Sequence, residues 1–217
     1  MGELILQLLP ELAGMAITPA AIAGCVLLLQ TKRALANAFA FFAAFMIAYT
    51  AIGVAALLGG ATHDTRSSAT SHWAGLAVGL IFVAFGVGQL VRKRVPSDTG
   101  PEWMQQLANA KPRGAFIMGA ALSVVNPNLA IMISGMTVIA AADTSVGSAA
   151  VGTVLLLFAA ALDFLVPIGI YMAFGKRAQD GLAGVKKWMI EHDRPLTLAV
   201  FFGFGALFVI RNVVALI

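Results

Sequence analysis

Charged side chains are scarce in this chain, and their scarcity excludes most soluble folds. The 217 residues include 14 Lys or Arg and 10 Asp or Glu, which together make up 11% of the chain, while hydrophobic residues make up 60%. A soluble domain carries about 25% charged residues. Together with a mean hydropathy of +0.91, this composition predicts an all-α integral membrane protein.

Catalytic and metal-binding motifs are also missing. A single cysteine excludes an internal disulfide framework and a cysteine-based zinc site. The sequence contains no Gly-x-Ser-x-Gly turn, no His-Glu-x-x-His motif and no Walker loop. We therefore expect a protein that is not an enzyme, needs no cofactor and holds no metal.

Long apolar runs predict six transmembrane helices, each able to cross the ~30 Å hydrocarbon core of a bilayer. The runs cover residues 3–29, 34–59, 73–91, 114–141, 149–174 and 195–217. We expect one transmembrane domain, with a first half at about 1–95, a linker at about 96–113 and a second half at about 114–217.

Basic residues are concentrated on one side of these spans. All of the 14 Lys and Arg residues except Arg66 and Arg211 fall in the loops that follow spans 1, 3 and 5. The positive-inside rule then places these loops in the cytoplasm and both termini outside the plasma membrane. This distribution accounts for the basic charge without nucleic acid. Segment 178–192, apolar on one face, is predicted to lie on the inner membrane surface.

The two halves of the chain resemble each other and predict an internal repeat. Thr18-Pro19 in span 1 corresponds to Asn126-Pro127 in span 4, and the Phe-Gly sequences of spans 3 and 6 also correspond. Three spans per half force the second half into the opposite orientation, which gives two inverted three-helix repeats. A Gly-x-x-x-Gly sequence at 75–79 would also allow packing of a homodimer.

Proline residues near the middle of spans 1 and 4 predict matching helix breaks. Pro19 and Pro127 each remove a hydrogen-bond donor from their helix. Matching breaks in corresponding helices indicate a transport site, whereas the alternative is a pair of packing kinks. Thr18 and Asn126 precede these prolines and offer hydrogen bonds to a ligand.

Asp163 is the acidic residue closest to the middle of a predicted span. Pro167 follows four residues later and is predicted to add a third helix break. An intramembrane carboxylate faces the protein interior or water, where it serves as a proton relay, a coupling-ion ligand or a structural hydrogen-bond acceptor. We expect Thr18, Asn126 and Asp163 to form the central substrate and coupling-ion site.

Glu11 and Arg211 are the charged residues predicted in the outer part of the spans. Glu11 shares a helix face with Thr18, so it either lines the substrate path or reaches the outer head groups. Arg211 either pairs with Glu11 or extends to the membrane surface alone.

The order and spacing of these motifs resemble the LysE exporter superfamily. Residues 14–19 of span 1, residues 125–129 of span 4 and Asp163 carry that resemblance. Residues 101–104, residues 174–177 and Trp188 narrow it to the Sap/Gap branch, the sulfolipid- and peptidoglycolipid-addressing proteins. The resemblance implies a LysE-like fold. The Sap/Gap branch usually has a lysine directly after the proline of span 4, and this chain departs from that pattern with Asn128.

The resemblance also implies a secondary exporter or flippase for an amphipathic glycolipid or lipid-linked sugar bound for the cell envelope. Its partners would be that lipid, the surrounding membrane lipids and envelope lipid-export machinery. One alternative is an exporter of a small cation or amino acid. Another is a non-transporting membrane scaffold for a separate lipid-export machine.

Overall fold

The described part of the chain is helical throughout. A computed structural model describes residues 2–60, 68–91, 107, 109–142 and 144–216. These residues form nine long helices and no β-strand, which confirms the predicted all-α class. The helices are α1 (Gly2–Met15), α2 (Pro19–Leu29), α3 (Ala34–Gly60), α4 (Ser68–Val91), α5 (Pro112–Val125), α6 (Pro127–Ala141), α7 (Val146–Phe174), α8 (Ala178–Glu191) and α9 (Asp193–Leu216).

Three to five of the described helical segments are long and apolar enough to span a membrane. Helices α3, α7 and α9 meet this condition individually, and the bent pairs α1–α2 and α5–α6 add two if each pair is one span. The apolar stretch found in α4 is shorter, at Gly79–Val91. The chain is therefore a helical membrane protein.

Two helix interruptions divide the bent pairs. The axis bends by 47° between α1 and α2 and by 57° within the α5–α6 pair. Pro19 and Pro127 are each the first residue of the helix after the bend. Proline suits this position, because the first N–H groups of a helix have no partner within the helix and the proline ring fixes a helical φ.

Pro167 behaves differently from the other two prolines. It lies inside α7, which runs without interruption from Val146 to Phe174. The predicted helix break at Pro167 is therefore wrong. A proline removes only one backbone hydrogen bond from a long membrane helix, and packing against neighbouring helices tolerates that loss.

The two halves of the chain pack into each other. Helix α4 lies along α9, and α3 lies along α5, while α1 and α2 both contact α7. Small residues allow the first of these contacts, since a Cβ added to Gly79 would lie 2.9 Å from the backbone N of Val209. The breaks of both halves are thereby brought into one helix bundle.

Aromatic side chains fill the core beside these breaks. Phe45 of α3 lies 5.0 Å from both Phe41 and Phe164, measured between ring centroids. Tyr49 continues this row along α3, with its ring 5.8 Å from that of Phe45. Asp163 therefore directly precedes a phenylalanine at the centre of the packed core.

Helix α8 corresponds to the predicted surface segment 178–192. Ala178 and Leu182 are buried, and α8 contacts α2, whereas Lys187 and Trp188 are exposed. The predicted linker at about 96–113 lies mostly outside the described residues.

Candidate functional site

Thr18 occupies the interruption between α1 and α2 and is held by Asp163. Its backbone is extended, with φ −104° and ψ 105°, and it is the residue that precedes α2. The Thr18 N–H donates a hydrogen bond of 3.0 Å to Asp163 Oδ1, and both residues are buried. A carboxylate is a strong acceptor for a backbone donor that the helix interruption leaves without a helical partner.

Asn128 connects the second interruption to the same residue. Its side-chain Nδ2 donates a hydrogen bond to the Thr18 hydroxyl. Its backbone N–H donates across 3.0 Å to Asn126 Oδ1, so Asn126 caps the start of α6. Of the predicted residues, Thr18 and Asp163 thus meet directly, whereas Asn126 is connected to them through Asn128.

The Asp163 carboxyl uses one of its two oxygens, Oδ1, in the contact with Thr18. Its second oxygen, Oδ2, is buried and has no hydrogen-bond partner among the described residues, and the same holds for the Tyr49 hydroxyl. Tyr49 belongs to the same core through Phe45, whose ring lies 5.8 Å from that of Tyr49 and 5.0 Å from that of Phe164. The thiol of Cys25 is 3.9 Å from the Phe164 carbonyl oxygen.

A cavity of about 270 Å³ opens in front of Thr18. Its polar wall consists of hydroxyl and amide side chains, and its apolar wall includes two phenylalanines. The lining residues within the described part of the chain are Gly14, Ile17, Thr18, Pro19, Ala20, Phe45, Gln89, Leu122, Asn126, Asn128, Thr197, Val200 and Phe201. None of these side chains is charged, and neither Asp163 nor Glu11 is among them.

The cavity reaches the surface of the helix bundle. Ile17 is 66% exposed, and Gln89 is also exposed, although both line the cavity. Gln89 lies at the end of α4 and Thr197 near the start of α9, so this part of the cavity lies where these two helix ends meet. The cavity therefore extends from the two interruptions toward one end of the bundle.

Glu11 lies apart from this cavity. It is fully buried, and its Oε1 accepts a hydrogen bond of 3.1 Å from the Ser134 hydroxyl. This contact joins α1 to α6. The side chain of Arg211, and with it the predicted ion pair to Glu11, lies outside the described part of the chain.

Sequence reasoning missed several polar residues of the site. Asn128 carried a signal, because it follows a proline break directly and offers both a donor and an acceptor. Gln89 and Thr197 had no sequence signal that pointed to the site, since each lies near the end of a helix, where polar residues are common. Tyr49 carried no signal either, since nothing in the sequence indicated that it packs with Phe45 beside Phe164.

The fold and site define a helical membrane protein with a cavity at two helix interruptions, and the described residues that line it are polar or apolar but not charged. The chain belongs to the family of Sap, the sulfolipid-1-addressing protein, because the model of that family matches residues 8–213. The match confirms the resemblance to the Sap branch. No curated protein and no solved structure is significantly similar to the chain.

Proposed function

We propose that this protein is a secondary transporter or flippase that moves an amphipathic glycolipid or lipid-linked sugar across the plasma membrane toward the envelope. The observation that carries the proposal is the cavity at Thr18, which combines uncharged polar groups with aromatic rings and reaches the bundle surface. Hydroxyl and amide side chains can exchange hydrogen bonds with a sugar. The exposed edge at Ile17 leaves a route along which acyl chains remain in the membrane.

The small number of polar groups in the cavity favours a lipid over a free hydrophilic solute. Each polar group of a solute that loses water without finding a new partner costs ~1–3 kcal/mol. A volume of about 270 Å³ is also below the roughly 300–1,000 Å³ of sites that enclose a drug-sized ligand. A lipid that inserts only its head avoids both difficulties.

The order of helices supports six spans in two inverted repeats. Each half contains a bent pair, then a long helix, then a further helix that packs against its counterpart. In the repeat, α2 corresponds to α6 and α3 to α7. If a twofold axis relates the halves, the contact between α2 and α7 must be matched by a contact between α6 and α3. Both contacts are present.

The proposed topology sets the direction of loading. If the basic loops are cytoplasmic and both termini are outside, the end of the cavity at Gln89 and Thr197 faces the cytoplasm. The protein then has an inward-facing cavity that receives its lipid from the inner leaflet. The name of the family refers to a sulfolipid, which is an amphipathic lipid with a polar head.

Asp163 is proposed to couple transport to protons. Its carboxylate accepts the Thr18 N–H, so loss of its negative charge weakens the contact that holds the break beside the cavity. This role needs no direct contact between Asp163 and the substrate. A small-cation exporter is the second candidate function, because Asp163 Oδ2 and the Tyr49 hydroxyl are two buried oxygens with no described partner.

Lipid translocation by the purified protein in liposomes tests the proposal. The probe is galactosylceramide with a fluorescent acyl chain, whose outer-leaflet fraction is measured by chemical quenching. We expect the wild-type protein to exchange the probe between leaflets and Ala20→Phe, which fills the cavity, to abolish the exchange. Ala51→Phe is the matched control, since Ala51 is exposed on α3 and does not line the cavity.

Two results would contradict the proposal. Transport of free lysine, threonine or a divalent metal with no lipid exchange would favour the small-solute exporter. Absence of transport of both kinds from a correctly folded sample would favour the membrane scaffold.

A further inference from the structure

Arg194 lies at the point where α9 meets the end of α4. Its Nη2 donates a hydrogen bond of 2.7 Å to the Leu90 carbonyl oxygen. Leu90 directly follows Gln89, which lines the cavity. The contact therefore places a guanidinium group beside the rim of the cavity.

The spacing of residues along α9 also places Arg194 beside the cavity. Its cavity-lining residues Thr197, Val200 and Phe201 follow the three- and four-residue spacing of one helix face. Arg194 precedes Thr197 by three residues, so its Cβ lies about 5–6 Å from that of Thr197 on the same face. Arg194 thus continues the cavity wall by one turn toward the start of α9.

The interior of the cavity suits an uncharged ring. None of the lining residues that the structure describes carries a charge, so an anion placed among them would lose its hydration without gaining a counter-charge from them. The volume of about 270 Å³, below the roughly 300–1,000 Å³ of sites that enclose a drug-sized ligand, suits one hydroxylated ring. Phe45 and Phe201 offer apolar surface to the C–H groups of such a ring.

Arg194 is suited to an anionic ester of sulfate or phosphate. A guanidinium group carries five N–H donors in a planar fork that matches these anions. The hydrogen bond to Leu90 fixes its position and uses one of them. Asn128, which is buried and lines the cavity, carries no charge, whereas the Arg194 guanidinium lies beside the rim at Leu90.

We infer that this site divides the head group of its lipid into two parts, with an uncharged ring inside the cavity and an anionic ester outside it on Arg194. The inference rests on the proposed function and assigns recognition of the anionic ester to Arg194 at the rim of the cavity. It also predicts that charge and ring are recognised by separate residues.

Binding of two matched glycolipids tests the inference. The probes are sulfatide and galactosylceramide, which differ only by a sulfate ester, each offered to purified protein in nanodiscs of uncharged phospholipid. Arg194→Gln should weaken sulfatide binding by about tenfold or more and leave galactosylceramide binding unchanged. Arg194→Lys should retain part of the sulfatide affinity, because it keeps the charge but loses the planar fork.

Controls separate recognition from structure. Arg33→Gln removes an exposed arginine that does not line the cavity and should change neither affinity. Equal weakening of both lipids by Arg194→Gln, or an unchanged sulfatide affinity, would overturn the inference. It would also be overturned if phosphatidylglycerol bound with the same dependence on Arg194, because the residue would then act as a general membrane anchor.

The proposed function can fail independently of this inference. If the two lipids bind as expected but neither is exchanged between leaflets, the protein recognises an anionic glycolipid without transporting it.

Discussion

The Thr18 N–H and the Asp163 carboxylate, which are 145 residues apart in the chain, are joined by a hydrogen bond of 3.0 Å. This bond ties the interruption between α1 and α2 to the middle of α7. Since Asn128 donates to the hydroxyl of the same threonine, Thr18 is the residue through which both helix interruptions are held together. Asp163 contacts the cavity-lining Thr18 but does not itself line the cavity.

Replacement of Asp163 by asparagine should separate its charge from its hydrogen bond. The asparagine oxygen can still accept the Thr18 N–H, so we expect a folded protein, but the side chain can no longer exchange a proton. Lipid exchange in liposomes with imposed pH gradients should lose its pH dependence. An unchanged pH profile would show that Asp163 has only a structural role.

Asp163→Ala removes the acceptor as well as the charge. The buried Thr18 N–H would then be left without its partner, at a cost of ~1–3 kcal/mol in the free energy of unfolding. Thermal unfolding in detergent should show lower stability than for Asp163→Asn. Equal stability of the two variants would mean that another group replaces the carboxylate.

Asn128→Ala should weaken lipid binding, because it removes a cavity amide and leaves the Thr18 hydroxyl without this donor. We expect a loss of affinity for galactosylceramide of roughly tenfold, corresponding to about 1.4 kcal/mol. Thr137→Ala is the control in the same helix, since the Thr137 hydroxyl donates to Ile133 of its own helix and does not line the cavity. A similar loss for both variants would argue against a specific role for Asn128.

Gly79→Ala should destabilise the contact between α4 and α9. The added Cβ would lie 2.9 Å from the Val209 backbone N, and such overpacking costs ~1–3 kcal/mol. Gly88→Ala in the same helix meets nothing within 4 Å and should be neutral or slightly stabilising. Thermal unfolding of both variants measures the difference in stability. Equal stability of the two would mean that α4 and α9 can move apart to accept the added Cβ without loss of stability.

Cysteine labelling in intact cells tests the topology. Cysteine introduced at Ser68, at the start of α4, should react with a membrane-impermeant reagent, whereas cysteine at Asp180 in α8 should not. The native Cys25 is buried and provides little background. The reverse reaction pattern would invert the protein in the membrane and exchange the loading side with the release side.

Local sequence was sufficient to locate the helices and both interruptions. Apolar runs mark where helices form, because backbone groups in a membrane must be satisfied within the segment. Pro19 and Pro127 each begin a helix after a bend, since proline lacks the N–H that helix continuation requires. The same rule failed at Pro167, where packing keeps α7 continuous.

The sequence by itself determined that this is a helical membrane protein of the Sap family, with polar residues beside two proline interruptions. Only the tertiary structure decided how those residues are paired. In the fold, Asp163 accepts a hydrogen bond from the Thr18 backbone, Asn128 donates one to the Thr18 hydroxyl, and Glu11 accepts one from Ser134. Helix formation depends on neighbours a few residues away, whereas each of these contacts depends on the packing of segments more than 100 residues apart, which no local pattern encodes.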